Sequence, residues 1–136
     1  MAPESEAEVD ALLERDRVHW TTHGFGPWAL LDRSTGSYVG RGGLVWITLA
    51  EERAVELPWA LMPERWGEGL ATEAAIAALE AARRLDLPEV VSLTLTTNDA
   101  SRRVMEKAGL GLRGEVEHEG LPHLLFRLAL AQAPGR

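Results

Sequence analysis

Residues 69–85 constrain this chain more than any other stretch. Ala71, Ala74, Ala75, Ala78, Ala81, Ala82 and Leu85 fall on one face at the helical step of about 100° per residue, and Glu73, Glu80, Arg83 and Arg84 fall on the opposite side. An alanine face buries little area per residue, but it lets the helix axis approach a sheet closely. Apolar runs flank this helix. Residues 54–61 precede it, and residues 90–94, apolar and rich in β-branched side chains, follow it beyond Leu87-Pro88. A strand, a helix and a second strand in that order require the two strands to run parallel.

The other segments add to both sides of this unit. Residues 5–20 read as a helix, with Val9, Leu12, Leu13 and Val18 at roughly helical spacing, and His23-Gly24-Phe25-Gly26-Pro27 breaks it. Residues 28–32 and 38–47 form a hairpin around Arg33-Ser34-Thr35-Gly36, with Gly40, Gly42 and Gly43 marking a bulge in its second strand. Pro58 has no N–H for a ladder, so the run 54–61 needs a bulge or an edge at that point. A second helix covers residues 98–108 and is closed by Gly109. Residues 110–116 and 121–128 are final strands joined through Glu119-Gly120. The outer hairpins make the sheet mixed, so the class is α/β (α+β). With 136 residues and no internal repeat or linker, the expectation is one domain over residues 1–136.

Composition removes several kinds of chemistry. There are no cysteines, which excludes disulfides, zinc–thiolate sites, Fe–S clusters and a cysteine nucleophile, and fits a reducing, cytoplasmic compartment. The N-terminal residues are acidic and polar, unlike a secretory signal, and no apolar run approaches the roughly 18 residues of a membrane span. A net charge of −7 disfavours a basic nucleic-acid patch and draws cationic partners such as amines at longer range.

The strongest local signal is Trp66-Gly67-Glu68-Gly69-Leu70-Ala71-Thr72, which follows a strand and opens the long helix. Two glycines let the backbone wrap a bulky anion. The free N–H groups of the first helical turn then point at it, with about half a positive charge from the helix dipole. Such a turn suits a phosphate or pyrophosphate, and equally serves as a plain turn. It is neither a Walker loop nor a full dinucleotide fingerprint.

Leu61-Met62-Pro63-Glu64-Arg65 followed by that turn and Glu73-Ala74 resembles the acetyl-CoA motif of GNAT acetyltransferases, Gln/Arg-x-x-Gly-x-Gly/Ala. Gly69 and Ala71 fill the fourth and sixth places, and Trp66 replaces the Gln or Arg, which is similar to the branch containing ribosomal-protein N-terminal acetyltransferases. A second stretch, from Asn98 to Leu110, matches Asn-x-x-Ser/Ala-x-x-x-aromatic-x-Lys-x-Gly-aromatic without either aromatic. The resemblance covers about residues 20 to 130. It implies a mixed sheet with helices on both faces, acetyl-CoA as co-substrate and no metal.

The resemblance also implies roles. The main chain of Leu61 and Met62 lies along the pantetheine and acetyl group. The amides of Trp66, Gly67, Glu68, Gly69, Leu70, Ala71 and Thr72 hold the pyrophosphate. Asn98 hydrogen-bonds the pantetheine arm, caps its helix, or does both, and Arg103 or Lys107 reaches the CoA phosphates or simply faces solvent. Many members donate a proton to the leaving thiolate from a tyrosine where this chain has Met105, which cannot donate. Ser101 is the candidate acid, against ordinary hydrogen bonding at a helix start. Glu56 is the candidate base, acting through water, against an outward-facing strand residue. His118 and His123 lack a clustered third ligand for a metal; His123 lines the acceptor site or sits on a surface loop. His19 and His23 read as packing and the tryptophans as core, with Trp28 or Trp46 also able to line the acceptor cleft.

Relatives carry an extra strand and helix before residues 5–20, so the first strand of the fold is expected to be lacking here. That would leave a sheet edge for a second copy to cover as a homodimer. The expected activity is acetyl transfer to a primary amine, either a small molecule or a protein N-terminus. The rivals are a CoA-binding or dimerisation module without turnover, and a nucleotide-phosphate binder. Nucleic acid and membrane are not expected partners.

Overall fold

The computed structural model describes residues 5–130; residues 1–4 and 131–136 lie outside the described residues, and with them part of the acidic N-terminal stretch. The chain opens with helix α1, Glu6–His23. The Ser5 hydroxyl accepts from the Glu8 N–H at 3.1 Å, and Gly24, left-handed at φ 77°, ends it. This helix buries no residue, and Val9, Leu13 and Val18 are all exposed. Their helical spacing therefore does not mark a core face. Polar contacts dock α1: Asp16 meets Arg41 at 2.9 Å, and the Trp20 indole N–H donates to the Pro27 carbonyl at 2.8 Å.

The expected hairpin forms from β1, Pro27–Leu31, and β2, Tyr38–Gly43, paired antiparallel. The run 38–47 is not one strand, however. It breaks after Gly43, at φ 104°, and continues as β3, Val45–Leu49, in a different sheet. A Cβ at Gly43 would overlap the Gly26 carbonyl, so only glycine permits this crossing. Residues 54–61 divide in the same way, into β4, Glu52–Glu56, and β5, Ala60–Leu61. Pro58 sits in the gap, where no ladder donor is required.

That break shapes the molecule. β4 pairs with β6, Glu89–Leu95, in parallel, with Glu56 opposite Val91. The Leu57 N–H still donates to the Val91 carbonyl at 2.8 Å, and the buried Ser92 hydroxyl donates to the Leu57 carbonyl at 2.9 Å. Beyond Leu57 the chain leaves β6, and β5 pairs with β2, Arg41 facing Ala60. A wedge opens between β5 and the last residues of β6. One sheet is then β1-β2-β5 and the other β3-β4-β6-β8-β7, with β7 at Gly111–His118 and β8 at Leu121–Ala129.

Helix α2, Leu70–Arg84, buries Ala74, Ala75, Ala78, Leu79 and Ala82. Leu85, expected on that face, is an exposed C-cap instead, because the helix ends before it. A Cβ on Gly42 of β2 would stand 3.8 Å from the Ala74 Cβ, which is the close approach an alanine face allows. Neighbouring Arg41 reaches Asp16 of α1, and adjacent strand residues point to opposite faces, so helices cover both faces. Helix α3, Asp99–Lys107, packs on α2 and β6 and buries Met105. The main core joins Leu44, Leu57, Val90, Met105 and Phe126 beneath α2 and α3; Leu49, Val91 and Leu125 form a smaller cluster. β1 is an edge strand, and no strand pairs with its outer side among the described residues.

Candidate active site

The turn before α2 has the form of an anion cradle. A short 3₁₀ turn, Pro63–Arg65, leads to Gly67 at φ 82° and Gly69 at φ 78°, both left-handed and so both suited to glycine. Gly69 is the N-cap of α2 and has no side chain to cap with, and the first ladder bond runs from the Glu73 N–H to the Gly69 carbonyl at 3.1 Å. The amides of Gly69, Leu70, Ala71 and Thr72 therefore have no intrahelical acceptor. Nothing lies within 4 Å of where a Cβ would stand on Gly67 or Gly69, so the space before the turn is open. Arg65 fixes the turn from behind by pairing with Asp32 at 3.0 Å and Glu68 at 2.9 Å. The N–H groups of Ser34 and Thr35, followed by Arg65, hold the Asp32 carboxyl below its ordinary range.

The other expected cofactor residues are placed as follows. The Leu61 carbonyl accepts from the exposed Trp66 indole at 3.0 Å, and the Met62 N–H donates to the Val39 carbonyl at 2.9 Å. Both main-chain groups thus have partners within the chain. Asn98 caps α3, accepting from the Ser101 N–H at 3.1 Å, and its amide nitrogen remains for other use. The Ser101 hydroxyl makes no hydrogen bond among the described residues, and Arg103 and Lys107 are exposed on α3 without an ion pair among them.

A separate cleft of about 510 Å³ lies between α1 and the β7–β8 turn. Arg15, Asp16 and His19 line one wall, His118 and Glu119 the other, and Glu56, Trp46 and Trp59 lie between them. Glu56 is half-buried and makes no hydrogen bond or ion pair among the described residues. Burial, then the charge of Glu119, pushes its carboxyl up from 4.5 to about 7, while His123 opposes the shift. Near neutral pH it exists in both protonation states, as a general base must. Ser101, Asn98, Arg103 and Lys107 do not line this cleft.

His19 is more than packing. Its Nε2 accepts from the Trp46 N–H at 2.9 Å, which leaves Nδ1 to donate to the Phe25 carbonyl at 2.7 Å. One ring thus ties α1 to β3 across the cleft floor. His19→Ala is expected to cost about 2 to 3 kcal/mol, because two bonds are lost and the Trp46 N–H is left unpaired. Urea denaturation would read this as a lower midpoint, and amide exchange in α1 should quicken with it.

Sequence reading singled out Glu56 and Trp46 but missed the walls around them. His118, not His123, lines the cleft, and Trp59 reaches it as well as packing on the core. Arg15, Asp16 and Glu119 carry no local mark, since solvent-facing helix and turn positions commonly hold charges. Glu119 does stand out in the structure: it has φ 52° at the first position of a two-residue hairpin turn, where Asn or Gly is the usual choice.

The acetyltransferase (GNAT) domain family matches residues 1–111. YkkB, an uncharacterised Bacillus subtilis (strain 168) protein, is 29% identical over 102 residues, 71% of this chain and 59% of YkkB. The chain therefore spans less than two thirds of that relative. A Bordetella pertussis protein assigned to the GNAT acetyltransferases superposes with a TM-score of 0.84 at 27% identity, covering 93% of this chain and 78% of its own. Two more distant structures share the fold alone. Ribosomal-protein-S5-alanine acetyltransferase of Vibrio fischeri has a TM-score of 0.77 at 17% identity, covering 95% and 77% of the two chains. The yncA protein of Salmonella typhimurium, solved with its cofactor acetyl-CoA, has a TM-score of 0.75 at 18% identity, covering 93% and 76%.

Proposed function

The chain belongs to the acetyltransferase (GNAT) domain family, and from that premise we propose that it moves the acetyl group of acetyl-CoA directly to a primary amine. The observation that carries this is a juxtaposition at one end of the parallel β4–β6 pair. The chain that forms the open amide turn of α2 leaves the carboxyl end of β4, and Glu56 is the last residue of that strand, with a carboxyl that makes no hydrogen bond or ion pair among the described residues. Ligands of open α/β sheets bind at that end.

The residues present fit the co-substrate. Four amides without intrahelical acceptors and an open front suit a pyrophosphate, and the helix dipole favours its charge. The wedge between β5 and β6 suits an extended arm, with Leu61 and Met62 on one side and the amide nitrogen of Asn98 as a further donor. Arg103 and Lys107 are the cations available to outer phosphates. Acetyl-CoA supplies an activated acetyl thioester. The amine nitrogen bonds to the acetyl carbon, the carbon–sulfur bond breaks, and Glu56 takes the amine proton through a water. The departing sulfur takes a proton from the Ser101 hydroxyl or from solvent. Met105 is buried and has no proton to give. The direct route is consistent with a chain that has no cysteine to carry an acyl group.

Thiol release from acetyl-CoA in the presence of an amine panel tests this. Release with at least one amine, at a rate rising through neutral pH, is the expected result; calorimetric acetyl-CoA binding without any release would overturn it. The outer edge of β1, which no strand pairs among the described residues, favours a second reading, a CoA-binding module that joins a second copy there. It predicts binding without turnover and a dimer in sedimentation. Among the described residues no helix is long and apolar enough to cross a membrane, and the cytoplasm is the compartment we propose.

A further inference from the structure

The cleft at Glu56 is uneven in charge: the α1 side carries two arginines against one carboxylate, Asp16, and the other side carries two carboxylates. On the α1 side stand Arg15, which makes no ion pair among the described residues, and Arg41, which spends one of its five N–H donors on Asp16 at 2.9 Å. On the other side stand Glu119, at the tip of the β7–β8 turn, and Glu56 on the floor. His118 approaches Glu119 only to 3.9 Å. The walls are linked by short steps. Arg15 is one helical turn from His19, His19 holds the Trp46 N–H, and Val45 beside Trp46 is the cross-strand partner of Glu56. Glu56 and both arginines line this one cleft, whose volume of about 510 Å³ is that of a small-molecule site, so a ligand seated at Glu56 shares it with them.

We propose, building on the acetyltransferase reading, that the acceptor is a small zwitterion: a free amino acid or similar amine that also bears a carboxylate. Its amino group lies at Glu56 and Glu119, and its carboxylate lies toward Arg15 and Arg41. This choice goes against the net charge of −7, which by itself favours a cationic amine. Net charge acts on arrival from a distance, whereas selection is made by the groups that touch the ligand. A diamine would set a second cation against two guanidinium groups. A peptide N-terminus would bring a neutral amide where the arginines offer donors to an anion.

The test compares free amino acids with their α-carboxamides, which differ by one charge and stand for the end of a peptide, and with 1,4-diaminobutane. Binding is measured by calorimetry in the presence of CoA, and turnover by thiol release. Expected is at least a tenfold preference for the free acid over its carboxamide. Arg15→Gln should reduce that preference toward one while leaving acetyl-CoA affinity unchanged. Equal or better binding of the carboxamide or the diamine, no amino-acid binding, or an unchanged preference in Arg15→Gln would each overturn the proposal. Because acceptor binding is read without turnover, its failure is separate from that of the acetyltransferase reading, which shows as acetyl-CoA binding with no thiol released by any amine.

Discussion

Glu56→Gln is expected to lower kcat/KM for the amine by a hundredfold or more and, above pH 7, to stabilise the fold. General-base catalysis contributes about 10²- to 10⁴-fold, and Gln keeps the shape of Glu56 without its basicity. In the unmodified protein kcat/KM should rise with pH up to about 7 and level off, since the carboxyl must be ionised to accept a proton. The variant should lose that acid limb. Stability runs the other way. Burial raises the carboxyl from 4.5 to about 7, so between those values the folded chain holds a proton that the unfolded chain has shed. Stability attributable to this group is therefore full below 4.5 and falls as pH rises through 7. The full loss is on the order of 3 kcal/mol. Denaturation at pH 4 and pH 8 would show it: the variant should gain over the parent only at pH 8. An unchanged pH–rate profile in Glu56→Gln would remove Glu56 as the base.

Gly69→Glu is expected to weaken acetyl-CoA binding at least a hundredfold while the protein stays folded. A carboxylate about 4 Å from a bound anion is repelled by about 4 kcal/mol at an effective dielectric near 20, before screening by salt. The backbone at φ 78° adds about 1 to 2 kcal/mol of strain for any side chain, yet no atom blocks the new Cβ. Gly69→Ala carries that strain without the charge and separates the two effects. Calorimetry with acetyl-CoA should show a modest loss for alanine and a large one for glutamate. Equal affinities in both variants would mean that the pyrophosphate does not sit on this turn.

The parts of this protein legible from the chain alone share a physical basis. The alanine face of α2, the glycines at 67 and 69, the Asn98 cap and the turn at Gly109 are local devices, dictated by periodicity, positive φ and orphan backbone groups within a few residues. Hence the parallel unit, the cradle and the order of elements follow from residue order. The divided strands do not. Gly43 and Pro58 mark an irregularity in each run, but not that the chain changes sheets there. That depends on Gly26 pressing against Gly43 and on β2 capturing β5.

The cleft depended still more on long-range contacts. Arg15, Glu56 and Glu119 are far apart in the chain and meet only because His19 pins α1 to β3 and the β7–β8 turn closes the opposite side. The environment of Glu56 arises the same way. An ionisable group takes its chemistry from what surrounds it, and those surroundings come from α1, several strands and the β7–β8 turn. Residue type and the resemblance to the family marked Glu56 as a candidate. Burial and the neighbouring carboxylate, both products of folding, gave it a basicity near neutral pH, and the facing arginines complete a charged cleft in which to use it.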